Sequence, residues 1–249
     1  MDKKEIIGFT FNKCVGLLLD PDKCSNDSLI KLLRVADESN TDYVLVGGSL
    51  SFSSIDVLIK DVRKHSSIPV ILFPGNLLQI NVNADIILFL SLISGRNPEF
   101  LIGNHVTAAP FLKDHRNKII PTGYVLISCG PKTSVEYMSN TEAIPCDKPD
   151  IAVATALAGE MLGLKVIYLE AGSGSVHHVP SDVIKAVRKN VSLPLIVGGG
   201  IRSDKEAEDI FKSGADMLVL GNGCEKNPEL LRSVCSVRNR LRTKTNPVV

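Results

Sequence analysis

The chain carries almost no net charge, since 28 basic side chains stand against 27 acidic ones and leave a formal +1. Without a global field there is nothing to recruit nucleic acid, and no run of Lys and Arg interleaved with aromatics precedes a modest cluster at Arg238–Lys244. That cluster reads as a solvated helix end. Long hydrophobic runs are missing too: no stretch of 18 apolar residues offers a membrane span. Met1-Asp2-Lys3-Lys4-Glu5 has no apolar core of signal-peptide length behind it, which predicts a cytoplasmic protein. Cysteine is sparse, and the residues at 14, 24, 129, 146, 224 and 235 show neither a CxxC pair nor metal-ligand spacing with histidine. Free thiols in a reducing compartment follow, and a zinc site does not. Tryptophan is absent, while 44% hydrophobic and 22% charged residues fit a soluble globular chain.

Glycine is where information concentrates. An apolar strand, Lys165 to Leu169, runs into Glu170-Ala171-Gly172-Ser173-Gly174-Ser175. Glycine lets backbone approach an anion and reach positive φ, while Ser173 and Ser175 add hydroxyl donors to a nest of amides. Ile196-Val197-Gly198-Gly199-Gly200 and Met217-Leu218-Val219-Leu220-Gly221-Asn222 each precede a further helix. A lone Gly-Ser loop is usually a turn, but three successive strand ends of this kind predict the phosphate corner at the C-terminal face of a (β/α)8 barrel.

The length of 249 residues suits one such barrel, with residues 1–249 as a single domain. Val15-Gly16-Leu17-Leu18-Leu19 reads as a first strand ending in Asp20-Pro21-Asp22-Lys23, and Asp27 as the cap of a helix with Leu29, Leu32, Leu33 and Ala36 on one stripe. Tyr43 to Val46 is a second strand, closed by Gly47-Gly48-Ser49, and Val70 to Phe73 a third. The fourth strand begins near Asp85, across an interval rich in Pro74, Gly75 and asparagine. A βαβ crossover needs at least about ten to twelve residues, so the third helix is missing or vestigial, and the gap opens an apolar groove. Asn97-Pro98 opens the next helix, which Pro110 ends or kinks. A fifth strand from Ile119 contains Pro121-Thr122-Gly123-Tyr124, and the long loop 128–148, with Tyr137 and Met138, reads as a mobile cover. The alanine-rich helix from Ile151 is apolar nearly all round, as for deep burial or contact with a second subunit. Ser181 is expected to cap the next helix, and Ser203-Asp204-Lys205-Glu206 to form a capping box.

A barrel brings its strand ends to one face, which puts Asp20 beside Ser49, across the mouth from the phosphate loops. Such a sparse oxygen pair suits Mg2+, which keeps waters and takes substrate phosphate oxygens; equally, Asp20 could cap the turn at Pro21. Glu170, at the start of the phosphate loop, could accept from a substrate hydroxyl, serve as a general base, or pair with a lysine. His177 and His178 are adjacent, so their side chains diverge, and they receive no role.

Leu18-Leu19-Asp20-Pro21-Asp22-Lys23, Val46-Gly47-Gly48-Ser49, Tyr168-Leu169-Glu170-Ala171-Gly172-Ser173-Gly174, Val197-Gly198-Gly199-Gly200-Ile201-Arg202 and Leu220-Gly221-Asn222, in this order, resemble the geranylgeranylglyceryl phosphate synthase family. The resemblance implies a modified α/β TIM barrel without its third helix. It implies an ether-forming transfer of a prenyl group from a prenyl diphosphate, geranylgeranyl above all, to the C3 hydroxyl of sn-glycerol 1-phosphate, with pyrophosphate released and Mg2+ as cofactor. Position by position, Asp20 and Ser49 would ligate the metal, Asp20 and Glu170 would be catalytic, and Lys23 could assist the diphosphate. Tyr168, Leu169, Glu170, Ala171, Gly172, Ser173, Gly174, Gly199, Gly200, Gly221 and Asn222 would bind the glycerol phosphate. Leu18 stands where a second branch has lysine, so the sequence is similar to the branch with archaeal and Bacteroidetes members. The familial tendency is a dimer or an assembly of dimers, and membrane contact would be transient. Open alternatives are a longer donor such as heptaprenyl diphosphate, a phosphate-binding barrel isomerase or lyase, and a non-catalytic glycerophosphate binder. An isomerase or lyase would want a matched acid and base or a strand-end lysine, and a binder would not need Asp20 and Ser49.

Overall fold

Strands covered on both faces must be apolar at nearly every position, and eight segments of this chain meet that demand. The computed structural model describes residues 4–24 and 26–245. An N-terminal antiparallel hairpin, β1 (Lys4–Ile6) and β2 (Phe9–Phe11), precedes them. The barrel strands are β3 (Cys14–Leu19), β4 (Tyr43–Val46), β5 (Val70–Leu72), β6 (Ile86–Leu92) and β7 (Ile119–Ser128). After a two-residue strand β8 (Ile144–Pro145), they continue as β9 (Val166–Glu170), β10 (Leu195–Gly198) and β11 (Met217–Leu220). All neighbouring pairs are parallel, β11 lies against β3, and β6 pairs with β7, so the sheet closes. Alternation divides the side chains: Leu45, Tyr168 and Met217 fill the interior, while Leu17, Val44 and Leu169 pack outward against the helices. Gly16 is required inside, because a Cβ there would stand 2.5 Å from Leu45 Cδ1 and 2.6 Å from Met217 Cε.

The surrounding helices are α1 (Asn26–Glu38), α2 (Ile55–His65), α3 (Asn104–Leu112), α4 (Ser134–Ser139) and α5 (Pro149–Met161), then α6 (Ser181–Asn190), α7 (Asp204–Lys212), α8 (Asn222–Lys226) and α9 (Glu229–Thr245). Between β5 and β6 there is only one 3-10 turn, Leu77–Gln79, so the third helix of a regular barrel is absent, as the short interval predicts. The helix opened by Asn97 starts with a π turn, Glu99–Gly103, its cap made by Asn97 Oδ1 accepting from Glu99 N at 3.0 Å. Pro110 lies inside α3, which ends at Leu112.

Several local expectations need correction. Asp27 sits within the first turn of α1 rather than at its cap, because the helix already begins at Asn26. Ser181 is the first residue of α6, and the cap position belongs to Pro180 without a side-chain bond. The capping box at Ser203 and Glu206 is present. Segment 128–148 is not a plain loop: Thr133 and Glu136 form a capping box for α4, and β8 extends the edge of β7. α5 buries Ala152, Ala156 and Gly159, while Ile151, Met161 and Leu162 remain exposed. Nor is the basic cluster near the C-terminus simply solvated. Arg238 is 1% exposed, pairs with Asp42 and donates to Asn40 O, while Arg242 reaches the other oxygen of Asp42 at 2.8 Å. The partner lies nearly two hundred residues upstream, beyond the reach of local pattern. Among the described residues no helix is long and apolar enough to cross a membrane.

Candidate active site

A cavity of about 770 Å3 opens at the C-terminal ends of the strands. Its polar end is built from the loops after β3, β4, β9, β10 and β11, and its apolar end from Phe73, Phe89, Phe100 and Tyr124 with Val135 and Met138 of α4.

Gly172 and Gly199 have φ of +98° and +82°, conformations that L side chains avoid. At Gly199 a Cβ would also stand 2.3 Å from Glu170 Oε1 and 2.9 Å from Gly172 N, so the two loops approach more closely than any side chain at 199 would allow. Ser173 is exposed at this corner, where its Oγ accepts from Asn222 Nδ2 at 3.3 Å. Ser175, expected to donate into the nest, is instead buried and turned away, with its Oγ donating to His177 O at 2.8 Å. Ser175 still lines the cavity, but Leu169 and Ala171 fall outside it: alternation sends both side chains into the layer behind the barrel, and the Ala171 N–H is engaged by Gly198 O at 3.0 Å. Tyr168, Glu170, Gly172, Ser173, Gly174, Gly199, Gly200, Gly221 and Asn222 do line it. His177 and His178 diverge, the latter turning its Nδ1 to Val179 O.

Tyr168 is wholly buried, held between Phe73 (centroids 5.1 Å apart) and the edge of Tyr124 (5.4 Å). Its hydroxyl converges with the Glu170 carboxylate over Gly198, where a Cβ would be 2.4 Å from the hydroxyl and 2.8 Å from Glu170 Oε2. Among the described residues that hydroxyl has no hydrogen bond of standard geometry. Burial, then the Glu170 charge, lifts the phenol well above its usual range and keeps it a neutral donor. Glu170 is 5% exposed and accepts from Gly172 N at 2.8 Å rather than from a lysine. Burial raises its carboxyl to about 7, against the opposing pull of the Gly172 N–H and the Tyr168 hydroxyl. A carboxylate poised there can take or hold a proton near neutrality.

Asp20 is not across the mouth from the phosphate corner, because β3 lies directly beside β11 in the closed barrel. Lys23 joins the two, with Nζ 3.0 Å from Asp20 Oδ2 and 3.2 Å from Asn222 Oδ1. Asp22 anchors the neighbouring loop by accepting from Phe52 N at 2.8 Å and Ser53 N at 2.7 Å, which brings Ser49 to the same rim. Between them lies Gly48, where a Cβ would come within 3.2 Å of Asp20 Oδ1, so the absent side chain leaves a space lined by oxygen. Among the described residues no three His, Cys, Asp or Glu side chains gather to hold a metal. This sparse, hard donor set fits Mg2+, which retains water and substrate oxygens, and does not fit zinc.

The sequence profile of the PcrB family matches residues 12–238. The chain belongs to the PcrB family. The geranylgeranylglyceryl phosphate synthase of Spirosoma linguale is 52% identical over 227 residues, covering 90% of this chain and 91% of its own. The protein of the same name from Korarchaeum cryptofilum is 39% identical over 230 residues, covering 92% and 94%. A crystal structure of (S)-3-O-geranylgeranylglyceryl phosphate synthase from Thermoplasma acidophilum in complex with the substrate sn-glycerol-1-phosphate matches with a TM-score of 0.86 at 32% identity, over 92% of this chain and 94% of that one. The resemblance carried by the strand-end motifs is therefore shown.

This PcrB family chain also uses residues that its motifs do not announce. Where the third helix is missing, Leu77, Ile80, Phe89 and α3 residues His105 and Ala108 line an apolar channel running from the polar end. His105 is buried edge-on to Phe89 at 4.4 Å, with Nε2 3.0 Å from Ser91 Oγ; burial lowers its pKa and keeps it neutral among apolar neighbours. Gln79, 3% exposed, clamps two loops: Nε2 donates to Gly48 O at 2.7 Å and Oε1 accepts from Gly75 N at 2.9 Å. A single Gln in an irregular stretch gives no periodic signal. Gln79→Ala removes the partner of those half-buried backbone groups, and urea denaturation should show a loss of about 1–2 kcal/mol.

Proposed function

We propose that the protein is a prenyltransferase that joins geranylgeranyl diphosphate to the C3 hydroxyl of sn-glycerol 1-phosphate, forming an ether and releasing pyrophosphate. The observation that carries this reading is one cavity with two chemistries, a glycine-built corner beside a buried carboxylate and phenol, continuous with an apolar end. The corner at Gly172, Ser173, Gly199, Gly200 and Asn222 takes the glycerol phosphate by its phosphate oxygens. Tyr168 and Glu170 then face the glycerol hydroxyls, with the orphan phenol donating and the carboxylate accepting. The prenyl tail lies among Phe73, Phe89 and Phe100. As the C1–O bond of the donor breaks, the C3 oxygen bonds to C1, its proton passes to Glu170, and the electron pair leaves on pyrophosphate.

Asp20 and Ser49 would hold Mg2+, which when bound supplies positive charge for the leaving diphosphate. Lys23, already between Asp20 and Asn222, adds a second cation to that end. A cytoplasmic location and transient contact with the membrane that supplies the donor belong to the same reading. So does a dimer or an assembly of dimers, with exposed Ile151, Met161 and Leu162 around α5 available to a second copy. An isomerase or lyase acting on a small sugar phosphate would leave the apolar channel without purpose.

Purified protein, radiolabelled sn-glycerol 1-phosphate and Mg2+ are to be incubated in turn with geranylgeranyl, farnesylgeranyl and heptaprenyl diphosphate, with sn-glycerol 3-phosphate as stereochemical control. Labelled lipid is expected from the 1-phosphate alone, most rapidly with the geranylgeranyl donor. Faster turnover of the heptaprenyl donor would reassign the chain length, and no lipid with any donor would refute the reaction.

A further inference from the structure

β8 runs parallel to the end of β7, with Ile127 opposite Ile144 and Ser128 opposite Pro145. Cys129 and Cys146 follow directly on the last paired residues of the two strands. The two thiols are near enough that a charge on Cys146 acts on Cys129. Residues abreast on neighbouring strands, as Ser128 and Pro145 are, have Cα atoms about 5 Å apart, within the range a disulfide spans, and each cysteine is the next residue along. Both thiols are free. They differ in access, because Cys129 is 7% exposed and Cys146 is open to solvent. Cys224 and Cys235 are also neighbours, but at 0% and 1% exposure no oxidant reaches them.

The segment between the paired cysteines is the cover of the cavity. It carries α4, whose Val135 and Met138 line the mouth. Its Thr133 cap sits so close to the phosphate loop that a Cβ on Gly172 would lie 2.2 Å from Thr133 Cγ2. Glu136 draws the return strand in by accepting from Ala143 N at 3.2 Å. No covalent bond joins the two ends of the cover in the reduced protein.

We propose that Cys129 and Cys146 are a redox-modifiable pair whose disulfide fastens both ends of the α4 cover over the active-site mouth. The oxidant is a low-molecular-weight disulfide, R–S–S–R. The exposed Cys146 thiolate attacks one of its sulfurs and releases R–S−; Cys129 then gives up its proton, attacks Cys146 Sγ in the mixed disulfide and releases the second R–S−. Two protein thiols are oxidised, one small disulfide is reduced to two thiols, and both protons end on the leaving groups. Access sets the order, and burial supports it by pushing the Cys129 thiol up to about 12, so that Cys129 reacts only once Cys146 Sγ is beside it. This pair stands apart from the proposed reaction, and its test needs no substrate.

The full-length protein is to be incubated with oxidised glutathione, alkylated, digested and mapped by mass spectrometry, with and without later dithiothreitol. The expected result is a loss of two alkylatable thiols and a linked peptide pair joining Cys129 to Cys146, reversed by dithiothreitol and absent from Cys146→Ser. That variant changes an exposed side chain and keeps the control foldable even if Cys129→Ser does not fold. Trypsin cleavage after exposed Lys132 should slow by about tenfold on oxidation, as a tied segment opens less often. A stable glutathione adduct on Cys146 with Cys129 still alkylatable, a link to any other cysteine, or unchanged cleavage after Lys132 would overturn the proposal.

Discussion

Asp20→Asn is expected to lower kcat by about a thousandfold, the scale of losing a preorganised charge at the point where charge develops. The substitution keeps size and shape but removes the charge that Lys23 now faces at 3.0 Å. The proposed phosphate corner is built by the loops after β9, β10 and β11, and Asp20 touches it only through Lys23, so the dissociation constant for sn-glycerol 1-phosphate, measured by calorimetry, should stay within about threefold of the original. The outcome that sinks the metal assignment is full turnover in the variant with an unchanged dependence on added Mg2+. A variant that loses both turnover and glycerol phosphate binding would instead make Asp20 a keystone of the whole corner, acting through Lys23 and Asn222.

Glu170 gives the second large effect, and with it a trade between activity and stability. Glu170→Gln keeps an oxygen for the Gly172 N–H but removes the proton acceptor, so kcat/KM should fall by about a hundredfold or more. In the parent, kcat/KM should rise with a slope of one through about pH 7 as the carboxyl ionises, and this limb should vanish in the variant. Stability moves the other way. A carboxyl lifted from 4.5 to about 7 on folding holds its proton more tightly in the native state, so the native state loses stability as pH rises from below 4.5 through 7. Above that window the buried charge is a burden of up to about 3 kcal/mol, which the neutral amide avoids. The variant should therefore melt at a higher temperature than the parent at pH 8 and at nearly the same temperature at pH 4. A lower melting temperature at pH 8 would mean that the carboxylate stabilises the loop in its charged form.

Much of this architecture was legible in the chain because its signals are local. Continuous apolar runs such as Val15 to Leu19 mark strands covered on both faces, and the short, asparagine-rich interval after Phe73 leaves no room for a helix. The glycine-bearing strand ends declared the tight loops at the polar end of the cavity, since positive φ and close approach demand that residue. What stayed hidden depends on partners distant in sequence or on side-chain direction. Arg238 looked like a surface charge until the residue before β4, Asp42, was placed beside it, and Gln79 acquires its role only where the loops of Gly48 and Gly75 meet. Leu169, Ala171 and Ser175 sit within the right motif, but alternation and a local turn point their side chains elsewhere. A motif marks a backbone path, and only the fold decides which of its atoms face the ligand.

The pairing of β3 with β11 has a consequence for synthesis. The first barrel strand to emerge from the ribosome finds one neighbour in β4, but its other neighbour is the last to be made. Until residue 220 is available, the nascent sheet carries open rims along β3 and along its newest strand. The salt-bridged α9, which reaches back to Asp42, comes later still. Closure therefore waits until β11 has been made, and chains stalled or cut before it should engage chaperones or one another through those rims rather than accumulate as stable fragments.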